Sequence, residues 1–232
     1  MSPIRACYWL FAAVVLAACQ AVAPQPAAGT TAPSVDLPPG DAGTVYRLQP
    51  QASQVIIYVY RAGAAARFGH NHVVTVPRLD GWLAMNGDDT RTAQFALHFR
   101  LDQLQIDDAA LRIATGGNFG TPRSKADIDG TQKNMLKSLD AERDPDVVIR
   151  SVKLAGEWPM LVADVAITLH GVTRIQSIVM AAVRDGDSIK TDGRFALRQS
   201  DFGIAPFSIL GGALAVDDVL AISFTLQLQR AH

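Results

Sequence analysis

The sequence predicts an all-β fold with one short helix, its antiparallel strands closing as a barrel or sandwich around one apolar interior. Three observations lead there. Apolar and polar residues alternate with period two over most of residues 44–230. Glycine-marked turn signals recur between the alternating runs. A single segment, 129–143, breaks the pattern with helical spacing.

The N-terminus comes first and is not part of that fold. Residues 6–16 (ACYWLFAAVVL) form an apolar run behind Arg5, too short to span a bilayer but suited to a signal-peptide core. The run ends in Leu16-Ala17-Ala18-Cys19, which resembles the lipobox of bacterial lipoproteins. Residues 1–18 are therefore expected to be removed and Cys19 to be the lipid attachment site. Gln20 follows the cysteine. By the usual sorting pattern it implies a periplasm-facing lipoprotein of the outer membrane. Cys7 lies inside the signal and Cys19 would carry lipid, so the expected mature chain has no thiol pair to form a disulfide. Residues 19–43, rich in Pro, Ala, Gly and Thr, read as a flexible tether.

The folded unit is expected over 44–232. Strands are predicted near 45–49, 54–60, 72–77 and 81–86, and over Phe95 to Leu101, where Phe95, Leu97 and Phe99 alternate with Ala96, His98 and Arg100. More follow near 146–153, through Val165, Ile167 and Leu169, near 174–184 and 188–198, and through Ile222, Phe224, Leu226 and Leu228. Turns are expected at Asp80-Gly81, Gly87-Asp88, Gly156, Gly171, Asp185-Gly186 and Asp192-Gly193. Met135, Leu136 and Leu139 give the segment 129–143 its helical spacing, with Asp129 or Thr131 as a cap and Pro145 as a stop. That helix is expected to pack over one end of the barrel. The Gly-rich loop before it lacks the lysine and helix spacing of a phosphate loop.

Composition removes some functions. The chain has 21 Lys+Arg against 22 Asp+Glu, a net charge of -1 and no basic cluster, so no nucleic-acid partner is expected. Ser200 and Ser208 lack a nucleophile-elbow context. Asp107-Asp108 and Asp217-Asp218 read as turn or strand-edge residues. No enzyme activity and no cofactor are expected. His70 and His72, two apart in an extended segment, would share a face. They are candidates for a polar mouth that binds ligand or, less favoured, for a metal site that would need further ligands. His170 beside Gly171, and Arg198 with Asp201, read as bracing at corners. The apolar faces carrying Phe95, Leu97, Phe99, Ile167, Leu169, Phe195, Leu197, Phe224 and Leu226 either fill a solid core or line a ligand tunnel.

Two segments, Ala166-Ile167-Thr168-Leu169-His170-Gly171-Val172-Thr173 and Phe195-Ala196-Leu197-Arg198-Gln199-Ser200-Asp201-Phe202-Gly203-Ile204, resemble the closing half of the YceI-like family. The likeness continues through Leu136-Lys137-Ser138 and Leu139-Asp140-Ala141-Glu142-Arg143-Asp144-Pro145 and spans about 46–230. It implies an extended, lipocalin-like antiparallel barrel whose interior holds an isoprenoid tail or another amphiphile, a polyprenyl lipid or quinone. Gln49, Ala52, Ser53 and Met135 depart from the family's polar pattern. The expected partners are thus an amphiphilic ligand and the membrane reached through the lipidated N-terminus, with a homodimer left open. A metal- or redox-linked envelope protein and a structural envelope lipoprotein are the alternatives.

Overall fold

A computed structural model describes Val35, Pro38, Gly40 and residues 43–231. The signal and Cys19 lie outside the described residues. Period-two alternation becomes fourteen strands: β1 (Thr44–Leu48), β2 (Gln54–Val59), β3 (Arg61–Ala62), β4 (His72–Thr75), β5 (Asp80–Met85), β6 (Gln94–Arg100) and β7 (Gln105–Ile106) in the first half. The second half adds β8 (Asp146–Glu157), β9 (Met160–Leu169), β10 (Val172–Asp185), β11 (Ser188–Arg198), β12 (Ser208–Ile209), β13 (Leu214–Val216) and β14 (Val219–Arg230).

The ladder β1-β5-β6-β8-β9-β10-β11-β14 closes on itself through β1–β14, an eight-strand antiparallel barrel. Closure removes the exposed edges that an open sheet would leave. Three barrel strands are broken. β14 pairs along 221–225 with β2 and at 228–230 with β1, so β1 and β2 are two halves of one staggered strand. β4 with β5, and β7 with β6, repeat that break. At the first break Ser53 Oγ accepts from Gln227 N at 3.0 Å and donates to the Gln49 carbonyl at 2.8 Å, which completes the ladder where the backbone leaves it. β12, β13 and β3 form a small separate sheet.

Among the described residues there are two α-helices, where the periodicity predicts one. α1 (Ala109–Thr115) starts where Asp108 accepts from Leu111 N at 2.9 Å and ends at Gly116, φ 71°. α2 (Lys125–Ser138) starts and ends earlier than the expected 129–143. A capping box of Ser124 and Asp127 nucleates it one turn upstream, and Asp140, φ 48°, breaks it before Pro145 is reached. Among the described residues no helix is long and apolar enough to cross a membrane.

Two of the expected turns are strand interiors. Gly81 lies in β5, where a Cβ would come within 2.7 Å of the Ala96 carbonyl oxygen. Gly193 lies in β11, where a Cβ would meet the Phe224 ring at 2.6 Å. Both glycines allow close packing rather than a change of direction. The expected one-sided polarity also fails in places. Trp82, Ala84 and Ala96 are buried on the outer face with Val35 and Val45 packed against them, and Ile175, Val179 and Val183 of β10 are exposed.

Candidate functional site

The inward faces of the barrel strands do not fill the interior. They surround a cavity of about 340 Å³, within the range of small-molecule pockets. Phe95, Leu97, Phe99, Ile167, Leu169, Phe195, Leu197, Phe224 and Leu226 all line it. Each comes from the strand position that the alternation assigns to the interior, and the register holds them opposite one another, as in Leu97↔Ile149↔Ile167. α2 lies at one end and contributes Thr131, Asn134, Met135, Ser138 and Leu139 to the lining. The Ser138 hydroxyl donates to the Ala205 carbonyl at 3.0 Å and ties the helix to the segment leading into β12.

The two ends of the cavity differ. At the α2 end the lining includes His72, Thr131, Asn134, Ser138 and Gln199. At the other end the hairpins interlock. Trp158 Nε1 donates to the Asp88 carbonyl at 3.2 Å, Thr90 Oγ1 donates to the Gly156 carbonyl at 3.1 Å, and Arg184 bonds the Asp88 carboxylate. No Asp, Glu, Lys or Arg side chain belongs to the lining.

His72 owes its place to a buried ion-pair network. Its Nδ1 lies 2.7 Å from Asp107 Oδ2. Asp107 Oδ1 accepts from Val73 N and from Arg112 Nη1 of α1, and that same Nη1 also donates to the Asn71 carbonyl at 2.9 Å. Arg112 is 2% exposed and the Asp107 side chain is fully buried. Burial alone would raise the Asp107 carboxyl. Hydrogen bonds from His72, Val73 N and Arg112 together with the charge of His72 outweigh it and hold the group below its ordinary value. Asp107 also has φ 58°, a left-handed conformation that turns the chain from β7 into α1.

The sequence reading assigned Asp107 and Asp108 to a turn or edge and did not single out Arg112. The available signal was local: an N-capping Asp108, one turn of apolar-rich helix and Gly116 at its end. His70 departs from expectation as well. β4 begins only at His72, so the alternation does not extend back, and His70 is exposed and outside the lining. Its imidazole is held below the ordinary value by desolvation first, then by Arg123 and His72.

The remaining histidines go to separate partners. His98 Nε2 pairs with Asp146 at 2.8 Å on the outer side of β6, and His170 Nδ1 bonds the Phe202 carbonyl at 3.1 Å. Among the described residues no group of three His, Cys, Asp or Glu side chains is placed to hold a metal. His170 and Gly171, φ 54° and 69°, supply the two positive φ angles of a tight hairpin between β9 and β10. Arg198 braces its corner through Asp218 at 3.7 Å rather than through Asp201, and Ser200 Oγ donates to the same Asp218.

Comparison with known proteins gives one family. A family model described as the YceI-like domain matches residues 46–228. Among solved structures, BcnA of Burkholderia cenocepacia superposes with a TM-score of 0.58 at 11% identity, covering 78% of this chain and 98% of that one. A polyisoprenoid binding domain from Saccharophagus degradans, implicated in plant cell wall breakdown, superposes with a TM-score of 0.54 at 14% identity, covering 80% and 98%. At these identities the likeness is one of fold. No curated protein matches the chain.

Proposed function

The chain belongs to the YceI-like family, and on that premise we propose that its barrel binds or carries an amphiphile with an isoprenoid-type tail and an uncharged headgroup, such as a quinone. The observation that carries this reading is the lining itself, an apolar cavity to which, among the described residues, no Asp, Glu, Lys or Arg contributes. A charged headgroup drawn into such a space would lose its hydration, and the His72 imidazole is already engaged by Asp107. A tail gains from the same surroundings: about ten enclosed methylenes contribute about 8 kcal/mol before ordering costs. The solved polyisoprenoid binding domain of the same fold supports the tail assignment.

The headgroup belongs at the α2 end. Asp107 engages His72 Nδ1 and fixes the ring, so Nε2 is the nitrogen a ligand would reach. Asn134 and Thr131 add neutral hydrogen-bonding groups beside it. Met135 presents a thioether where the family pattern is polar. The protein acts by binding, not by catalysis. Its attachment to the envelope through an acylated Cys19 belongs to the same proposal, and mass spectrometry of the mature N-terminus tests it.

Ligand chemistry is tested by titrating the delipidated full chain with an isoprenoid quinone and with a polyprenyl phosphate of matched tail. The quinone is expected to bind tighter by at least about tenfold. Equal affinity, or preference for the phosphate, contradicts the neutral-headgroup reading.

A further inference from the structure

We propose that the α2 end of the barrel docks directly on an anionic lipid surface through Phe68, Ile113 and Leu210, with Arg61, Arg67 and Arg123 as the attracting charges. These residues lie on three loops, 60–71, 109–124 and 205–216. The loops rise from four neighbouring strands, β14, β2, β4 and β7, on one side of the rim. The small β12-β13-β3 sheet joins two of them, and the Ala65 N–H donates to the Ala213 carbonyl at 2.7 Å.

Each loop holds a large apolar side chain in water: Phe68 is 66% exposed, Ile113 70% and Leu210 77%. Ile209 beside Leu210 is exposed as well. Leu210 also has φ 53°, followed by Gly211 and Gly212 at 65° and 88°. A leucine gains nothing from the left-handed region and loses by facing solvent, so packing within the fold does not explain it. Arg67 stacks over the Phe68 ring, its guanidinium carbon 4.6 Å from the centroid, which places a cation beside an apolar tip.

Charge points to the occupant. The three loops contain no Asp or Glu, and they carry Arg61, Arg67 and Arg123 besides Arg112, which Asp107 neutralises. Asp108, the nearest acid in sequence, caps α1. Of the acids elsewhere on this end, Asp129 is engaged by Lys125, Asp140 and Asp144 by Arg143, and Asp218 by Ser200 and Arg198, while Asp127 caps α2. The turns of the opposite end carry Asp88, Asp89, Glu157, Asp185 and Asp187, of which Asp88, Asp89 and Asp187 pair with Arg184, Arg91 and Arg230. The three acid-free loops with their arginines present this side of the rim to an anionic membrane. Apolar tips with adjacent arginines are the residues that settle at a headgroup–acyl boundary.

The cavity extends to the same place. Phe207 and Val216, at the base of the 205–216 loop, line it together with Val59 and His72. Docking would therefore set the mouth on the surface from which an amphiphile is drawn. To that extent it rests on the proposed function, but the two can fail separately. Ligand can be found in a protein whose loops ignore membranes, and the loops can dock on a protein whose cavity stays empty.

Hydrogen exchange of the full chain tests it, with vesicles of phosphatidylcholine alone and with vesicles containing phosphatidylglycerol. Any attachment through residues 1–43 is common to both. Amides of 60–71 and 205–216 are expected to slow on the anionic vesicles, with 157–160 and 185–188 unchanged. The F68S/L210S variant is expected to lose that protection while its barrel strands keep their slow exchange. The R67E/R123E variant is expected to need roughly tenfold more anionic lipid for the same protection. Loops that exchange equally with and without anionic vesicles, or opposite-end turns protected to the same degree, overturn the proposal.

Discussion

The two ends of the barrel solve opposite problems with the same strands. The end opposite α2 is shut by short turns that bond one another, Trp158 and Arg184 to the Asp88 segment and Thr90 to Gly156. The α2 end is covered by a helix and three longer loops, and the buried Asp107–Arg112 pair ties β4 and α1 together there. A barrel closed at one end by short interlocked turns and covered at the other by longer segments over a buried charge network has a floor and a mouth. The difference shows where stability is bound up with function and where it is not.

The largest effect separates the ends at once. Arg112→Ala leaves the Asp107 carboxylate buried without its cation and should cost about 3–5 kcal/mol in urea unfolding. Arg184→Ala, which removes the half-buried partner of the exposed Asp88 at the floor, should cost no more than about 1 kcal/mol. Comparable losses would break the distinction. Acid sharpens it. The Asp107 carboxyl titrates lower in the fold than in the unfolded chain, so its stabilisation is complete above about pH 4 and is lost as pH falls through the lower folded value. An Asp107→Asn variant, less stable at neutral pH, should have a flatter stability profile below about pH 4.

Between the ends, the strands set the next largest effect. Gly81→Ala presses a methyl against the Ala96 carbonyl and should destabilise by about 1–3 kcal/mol, measured by thermal unfolding. Gly87→Ala, in a floor turn with open space around it, meets no atom, and its cost is limited to a positive φ of 58°. A larger loss at Gly87 than at Gly81 would mean that the floor turn, not the β5–β6 contact, controls the barrel.

Much of the fold was legible because alternation with period two states directly which side chains face inward. Phe95, Leu97 and Phe99, or Phe224 and Leu226, needed no further information to be placed on the inward face. Gly81 and Gly193 were misread because glycine marks both a turn and a close approach, and only the neighbouring strand decides between them. The Asp107–Arg112 pair was not legible. A buried charge has no period, and its partner sits five residues on in a helix of one or two turns. His70 and His72 show the same limit, since alternation holds only inside a strand and β4 starts between them. Whether the interior was solid or hollow also lay beyond the pattern, because a filled and an empty barrel have the same alternation.

That last point is the central claim, and Leu197→Trp tests it most directly. If the interior is hollow, the indole enters space that a ligand would occupy, and stability should change by less than about 1 kcal/mol. Native mass spectrometry of the two proteins, gently extracted from the membranes of the producing cells, then gives the decisive reading. The parent chain is expected to carry a lipid-sized mass that the Leu197→Trp variant lacks. A parent chain that is bare under those conditions, with the variant destabilised by about 1–3 kcal/mol as an overpacked core would be, contradicts it.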